Sequence, residues 1–73
     1  MRDRILVTGG TGYLGSLVVA RLAASGATVV SLDRRDPTEP VAAVHYITQD
    51  LRALDLAALL TEHEVQAVVH LAA

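Results

Sequence analysis

Ile5-Leu6-Val7-Thr8-Gly9-Gly10-Thr11-Gly12-Tyr13-Leu14-Gly15 carries the first decision about the fold. Ile5 to Thr8 is a continuous apolar run stopped by two glycines, which predicts a strand buried on both faces, the habit of parallel sheets. From Gly12 the period changes. Leu14, Leu17, Val18 and Leu22 recur at three- and four-residue steps, and Gly26 follows as a stop, so a helix of about 13 residues is expected.

Working outward, Thr28 to Leu32 is β-branched and apolar and ends at Asp33, which predicts a second buried strand. Strand, helix and strand of these lengths form a βαβ unit with a right-handed crossover. Arg34 to Pro40 is polar with two prolines, each of which pushes its predecessor out of helical geometry, so this stretch reads as a loop. Val44 to Thr48 gives a third strand. Asp55 is placed to cap a short helix with Leu56, Leu59 and Leu60 on one face, and Val68 to Leu71 gives a fourth strand.

This alternation predicts an α/β fold, the amino-terminal half of a doubly wound parallel sheet of Rossmann type, with about four parallel strands in the order 3-2-1-4. Residues 1–73 then read as one partial dinucleotide-binding domain, cut after its fourth strand. Val68, Val69 and Leu71 should lie on an open apolar edge, available for self-association.

Composition narrows the function. The chain has no cysteine, which excludes a disulfide scaffold and a Cys-based zinc site. Its six cationic residues are all Arg and are scattered among eight acids, at a formal charge of −2, so no basic stripe exists for nucleic acid or anionic lipid. No apolar run reaches the roughly 18 residues of a membrane span, and a cytoplasmic chain is expected.

The glycines satisfy G-x-G-x-x-G at Gly10, Gly12 and Gly15, and T-G-x-x-G-x-x-G at Thr8, Gly9, Gly12 and Gly15. An early glycine allows the tight turn, Gly12 lets backbone approach a pyrophosphate, and Gly15 lets the helix lie close on the sheet. The helix amino terminus adds unpaired N–H groups and a positive dipole end. A mononucleotide phosphate loop is excluded because the residue after Gly15 is Ser16 and the chain contains no Lys.

Asp33 lies 18 positions after Gly15, where a dinucleotide site needs an acceptor for the adenosine ribose. Arg34 and Arg35 could receive a 2′-phosphate, but a carboxylate within ~4 Å would repel it by about 1–4 kcal/mol, so NAD is favoured over NADP. Asp50 and Leu51 follow the third strand, where the carboxylate could accept from an adenine amino group. A turn-capping role for Asp50 fits the pattern nearly as well. His45 and His63 read as surface residues with no partner of metal-ligand spacing, and His70 as a hydrogen-bonded core histidine.

Together, Thr8 to Gly15, Asp33-Arg34, Asp50-Leu51 and Val69-His70-Leu71-Ala72-Ala73 resemble the amino-terminal part of the extended short-chain dehydrogenase/reductase superfamily, of the NAD-dependent epimerase/dehydratase type. The resemblance is collinear over the whole chain. It implies that the glycine loop holds the pyrophosphate through backbone N–H groups at Tyr13 and Leu14, that Asp33 binds the ribose, and that Asp50 and Leu51 flank adenine. It implies further that Leu71, Ala72 and Ala73 line the cofactor and that His70 is structural.

The family's chemistry requires a Tyr-x-x-x-Lys pair, in which the tyrosine serves as acid and base. Tyr13 sits in the glycine loop and Tyr46 is followed four residues later by Asp50, so neither fits. The expected function is therefore the NAD(P)-binding portion of an oxidoreductase, epimerase or dehydratase acting on a nucleotide sugar or similar alcohol, with no catalytic residue of its own. The alternative is a non-enzymatic half-Rossmann module that binds nucleotide or serves folding and association.

Overall fold

The computed structural model describes residues 3–72. Strand β1 (Arg4–Thr8) leads through the glycine loop into helix α1 (Tyr13–Ala24), and β2 (Thr28–Asp33) follows. After the loop come β3 (His45–Thr48), a 3₁₀ turn at Leu51–Ala53, helix α2 (Leu56–Glu62) and β4 (Ala67–His70). The four strands are parallel in the order β3-β2-β1-β4. Strand boundaries differ from the sequence reading by one residue, and Leu71 continues the ladder through its amide, which donates to the Thr8 carbonyl at 2.9 Å.

The continuous apolar runs are explained by two half-cores, one on each face of the sheet. Leu6, Val30, Leu32 and Leu59 form the half-core under α2, while Val7, Val19, Val29 and Val44 form the one under α1. Alternate residues of β1 and β2 thus feed opposite faces, and both strands are central. Strand β4 is an edge, and Val68 keeps 48% of its surface exposed.

Both helices end in the same backbone device. In α1 the Ala27 amide donates to the Leu22 carbonyl (3.2 Å) and the Gly26 amide to the Ala23 carbonyl (3.1 Å), with Gly26 left-handed at φ +95°. In α2 the equivalent pair is Val65 to Leu60 (2.9 Å) and Glu64 to Thr61 (3.2 Å). The left-handed position there is filled by Glu64 at φ +52°, a conformation that disfavours a side chain. At its other end α2 starts at Asp55, whose carboxylate accepts from the Ala58 amide at 3.0 Å, the cap read from the sequence.

Candidate functional site

All four parallel strands end on one edge of the sheet, and a cleft of about 560 Å³ lies along it. That volume lies within the range of small-ligand sites. Thr8 and Gly9 stand at its centre, Leu32 to Arg35 on one side, Gln49 to Arg52 beyond them, and His70 to Ala72 on the other side.

The glycine loop is fixed by close backbone packing. Gly9 is left-handed (φ +76°), its amide donates to the Leu32 carbonyl at 2.9 Å, and a Cβ on it would stand 2.8 Å from the Ala72 amide nitrogen. The turn out of β1 therefore lies directly on the chain leaving β4. A Cβ on Gly15 would run into the Gly9 carbonyl group and lie 2.9 Å from the Gly10 Cα, so α1 can approach only without a side chain there. Gly12 differs: a Cβ there would meet only the Gly9 oxygen, at 3.5 Å, and otherwise faces open space.

Gly12 is also the cap residue of α1, which has no capping side chain and no acid in its first turn. The first-turn amides, those of Tyr13 and Leu14 among them, have no partner within the helix. Tyr13 and Leu14 are both exposed, beside the cleft rather than within its wall. This end of the helix is electrically positive and sterically open. The buried Thr11 hydroxyl, in the same loop, has no hydrogen-bond partner.

Asp33 ties the end of β2 to the glycine loop. One carboxylate oxygen accepts from the Thr11 amide (3.2 Å) and the other from the Arg35 amide (3.3 Å). Partial burial would raise the carboxyl pKa. It is outweighed by the Thr11 hydroxyl, which lies near the charge without aligning as a hydrogen bond, and by the amides of Thr11, Arg35 and Arg34, so the pKa falls below its ordinary value. Arg34 and Arg35 are exposed along the same wall.

Asp50 caps the 3₁₀ turn, accepting from the Arg52 amide at 2.9 Å, and its carboxylate also accepts from Arg52 Nε (3.3 Å) and Nη2 (3.1 Å). Those bonds hold the Asp50 carboxyl below its ordinary pKa and raise that of the Arg52 guanidinium. Arg52 is a further residue of the cleft, and its only mark in the sequence is the Asp-x-Arg spacing. Leu51 lines the cleft beside this pair.

His70 departs from its expectation as a core residue. It is exposed because β4 is the edge strand among the described residues, and its Nδ1 pairs with the buried Thr8 hydroxyl at 2.6 Å across the β1–β4 register, the hydrogen bond that was expected. Leu71 and Ala72 line the cleft, while Ala73 lies outside the described residues. His45 is exposed and His63 half-buried, and their rings meet edge to face with centroids 5.0 Å apart. Among the described residues no group of three or more His, Asp or Glu could hold a metal ion, and no helix is long and apolar enough to cross a membrane.

Residues 5–73 match the model of the NAD dependent epimerase/dehydratase family. The dTDP-6-deoxy-L-talose 4-dehydrogenase (NAD(P)(+)) of Kitasatospora kifunensis is 43% identical over an alignment of 72 positions that covers 94% of this chain and 22% of the dehydrogenase. The UDP-glucose 4-epimerase of Mycolicibacterium smegmatis is 36% identical over an alignment of 78 positions, gaps included, that covers 96% of this chain and 25% of the epimerase. Among solved structures, MoeE5 in complex with UDP-glucuronic acid and NAD superposes with a TM-score of 0.86 at 38% identity, covering 97% of this chain and 23% of MoeE5. The UDP-glucose 4-epimerase of Thermotoga maritima gives 0.84 at 30% identity, covering 96% of this chain and 24% of the epimerase. The chain spans a quarter or less of the length of these relatives. The matches bear out the resemblance and the half-Rossmann fold read from the residues.

Proposed function

The chain belongs to the NAD dependent epimerase/dehydratase family, and from that premise we propose that the cleft at the carboxyl edge of its sheet binds NAD. The observation that carries this reading is the uncapped start of α1, open at Gly12, standing beside a carboxylate that the same glycine loop holds in place. Tyr13 and Leu14 would hold the pyrophosphate through their backbone N–H groups, with Gly9, Gly12 and Gly15 shaping the loop that lets it approach, and Asp33 would accept from the adenosine ribose. Asp50 and Leu51 would flank adenine, Arg34 would lie at the ribose rim, and Leu71 and Ala72 would line the remaining wall. The ionised Asp33 favours NAD over NADP, because a 2′-phosphate beside it would be repelled.

When bound, NAD supplies a hydride acceptor or donor. The chain's own residues bind and orient it. With no Lys in its sequence the chain cannot furnish a Tyr-x-x-x-Lys pair, so the acid and base groups would come from residues outside these 73. In a longer protein the reaction would be oxidation, epimerisation or dehydration of a nucleotide sugar or similar alcohol.

Titration with ADP-ribose and with NAD, followed by amide NMR, tests the site. Dissociation constants of roughly 0.1–10 mM are expected, or about 3–5 kcal/mol, with the amides of Gly9 to Gly15 moving first. Shifts confined to the rest of the chain would overturn the assignment.

A further inference from the structure

We propose that His45 and His63 form a binding site for a divalent transition-metal ion of the zinc class, at the opposite edge of the sheet from the nucleotide cleft. His45 opens β3 and His63 caps α2, so the fold brings together two imidazoles that lie 18 residues apart in sequence. Their ring centroids are 5.0 Å apart. Two imidazoles on one tetrahedral ion, each with a metal–nitrogen bond of about 2.0–2.1 Å, place their ring centres about 5 Å apart, so the spacing already suits chelation.

The rings stand at 61° to each other. A nitrogen of each ring can turn toward a shared ion about the terminal side-chain torsion, which is soft for histidine. His45 is exposed and His63 half-buried, so an ion and its water can reach the pair. No third His, Asp or Glu of the described residues completes a ligand cluster, so water would fill the other positions and the pair would act as a two-ligand clamp.

Such an ion would tie the edge strand β3 to α2. Because the unfolded chain does not hold the two rings together, binding would raise the folded-to-unfolded ratio by a factor of 1 + [metal]/Kd, about a hundredfold at 100 times the dissociation constant. Acid would weaken it, since the metal takes neutral imidazole.

The test is titration of the 73-residue chain with zinc chloride near pH 7.5, above the ordinary histidine range, read by calorimetry and by imidazole NMR. Saturable one-to-one binding below millimolar is expected, with the His45 and His63 rings shifting together and His70 unmoved. His45→Ala and His63→Ala should each weaken it at least tenfold, and the urea-unfolded chain should bind at least tenfold more weakly than the folded one. Binding that survives in the double variant, equal binding by the unfolded chain, or no saturation below millimolar would overturn the site.

Discussion

Replacing Gly15 and Gly12 by alanine, one at a time, sets two physical effects against each other at neighbouring positions. Gly15 is the third residue of α1, where alanine gains about 0.8–1 kcal/mol in helix propensity. Against that gain, its Cβ would lie 2.8 Å from the Gly9 carbonyl carbon and 2.9 Å from the Gly10 Cα. Both are backbone atoms, and Gly9 is pinned by its bond to Leu32 and its packing on Ala72. Overpacking costs about 1–3 kcal/mol, and against backbone atoms that cannot swing aside it falls in the upper part of that range, about 2–3 kcal/mol, so Gly15→Ala should lose a net 1–2 kcal/mol. The whole stability of a chain this size is only roughly 4–11 kcal/mol. At Gly12 the backbone (φ −69°, ψ 173°) suits any residue and the nearest atom is 3.5 Å away. The poorer cap costs about 0.5–1 kcal/mol, and the stiffer unfolded chain offsets about 0.4–1 kcal/mol, so stability should hardly change. ADP-ribose binding by Gly12→Ala should nevertheless fall at least tenfold, about 1.4 kcal/mol, because the methyl group occupies the open approach to the first-turn amides. Urea unfolding by far-UV circular dichroism and an NMR titration would measure both quantities. A Gly15→Ala variant as stable as the parent, or a Gly12→Ala variant with undiminished affinity, would refute the reasoning.

Asp33→Asn should weaken NAD by about 1.5–3 kcal/mol while relatively favouring NADP, measured by parallel titrations; a parent chain that already prefers NADP would contradict the role given to the carboxylate. Because the folded-state pKa of Asp33 lies below its ordinary value, its contribution to stability is present above about pH 4 and is lost as the pH falls through the folded value, and the same Asp33→Asn variant should lack that part of the acid dependence in urea unfolding. Glu64→Gly should stabilise the chain by about 0.5–1 kcal/mol in urea unfolding, since glycine relieves the left-handed strain and the ion pair lost with Arg4 is exposed. The open edge of β4, with Val68 half exposed and neither Lys nor Pro to blunt it, should make the 73-residue chain self-associate; sedimentation showing a rigid monomer at every concentration would rule that out.

The elements whose signals are local were legible. A four-residue apolar run, a change of period at Gly12, and an aspartate three residues before a free amide need no knowledge of the rest of the chain. The 3₁₀ turn at Leu51–Ala53 leaves no mark in the sequence, because three residues carry no period, although Asp50 fits a cap. Glu64 leaves none either: a glycine marks a left-handed helix end in sequence, as Gly26 does for α1, whereas a glutamate followed by Val65, which packs on the core with Leu60, carries no such mark.

Side-chain pairs in the site divide the same way. Asp50 and Arg52 are two residues apart and could have been paired from spacing, whereas Thr11 and Asp33 are 22 apart and Thr8 and His70 are 62 apart. Those distant pairs follow from register: once β1 lies between β2 and β4, Thr8 is opposite both Leu32 and His70, and the loop after it must reach Asp33. The same rule, applied to the other end of the strands, gathers a second group of polar residues. Arg4 exchanges backbone and side-chain bonds with Gln66 and pairs with Glu64, and His45 meets His63. A parallel sheet therefore has two chemically distinct edges, an amide-rich one where the strands end and a side-chain-rich one where they begin. Because the four strands separate them, zinc at His45 and His63 and nucleotide at Gly12 should bind without competing, and a change in one affinity would have to travel through the packing of Leu6, Val30 and Leu59 that joins the sheet to α2.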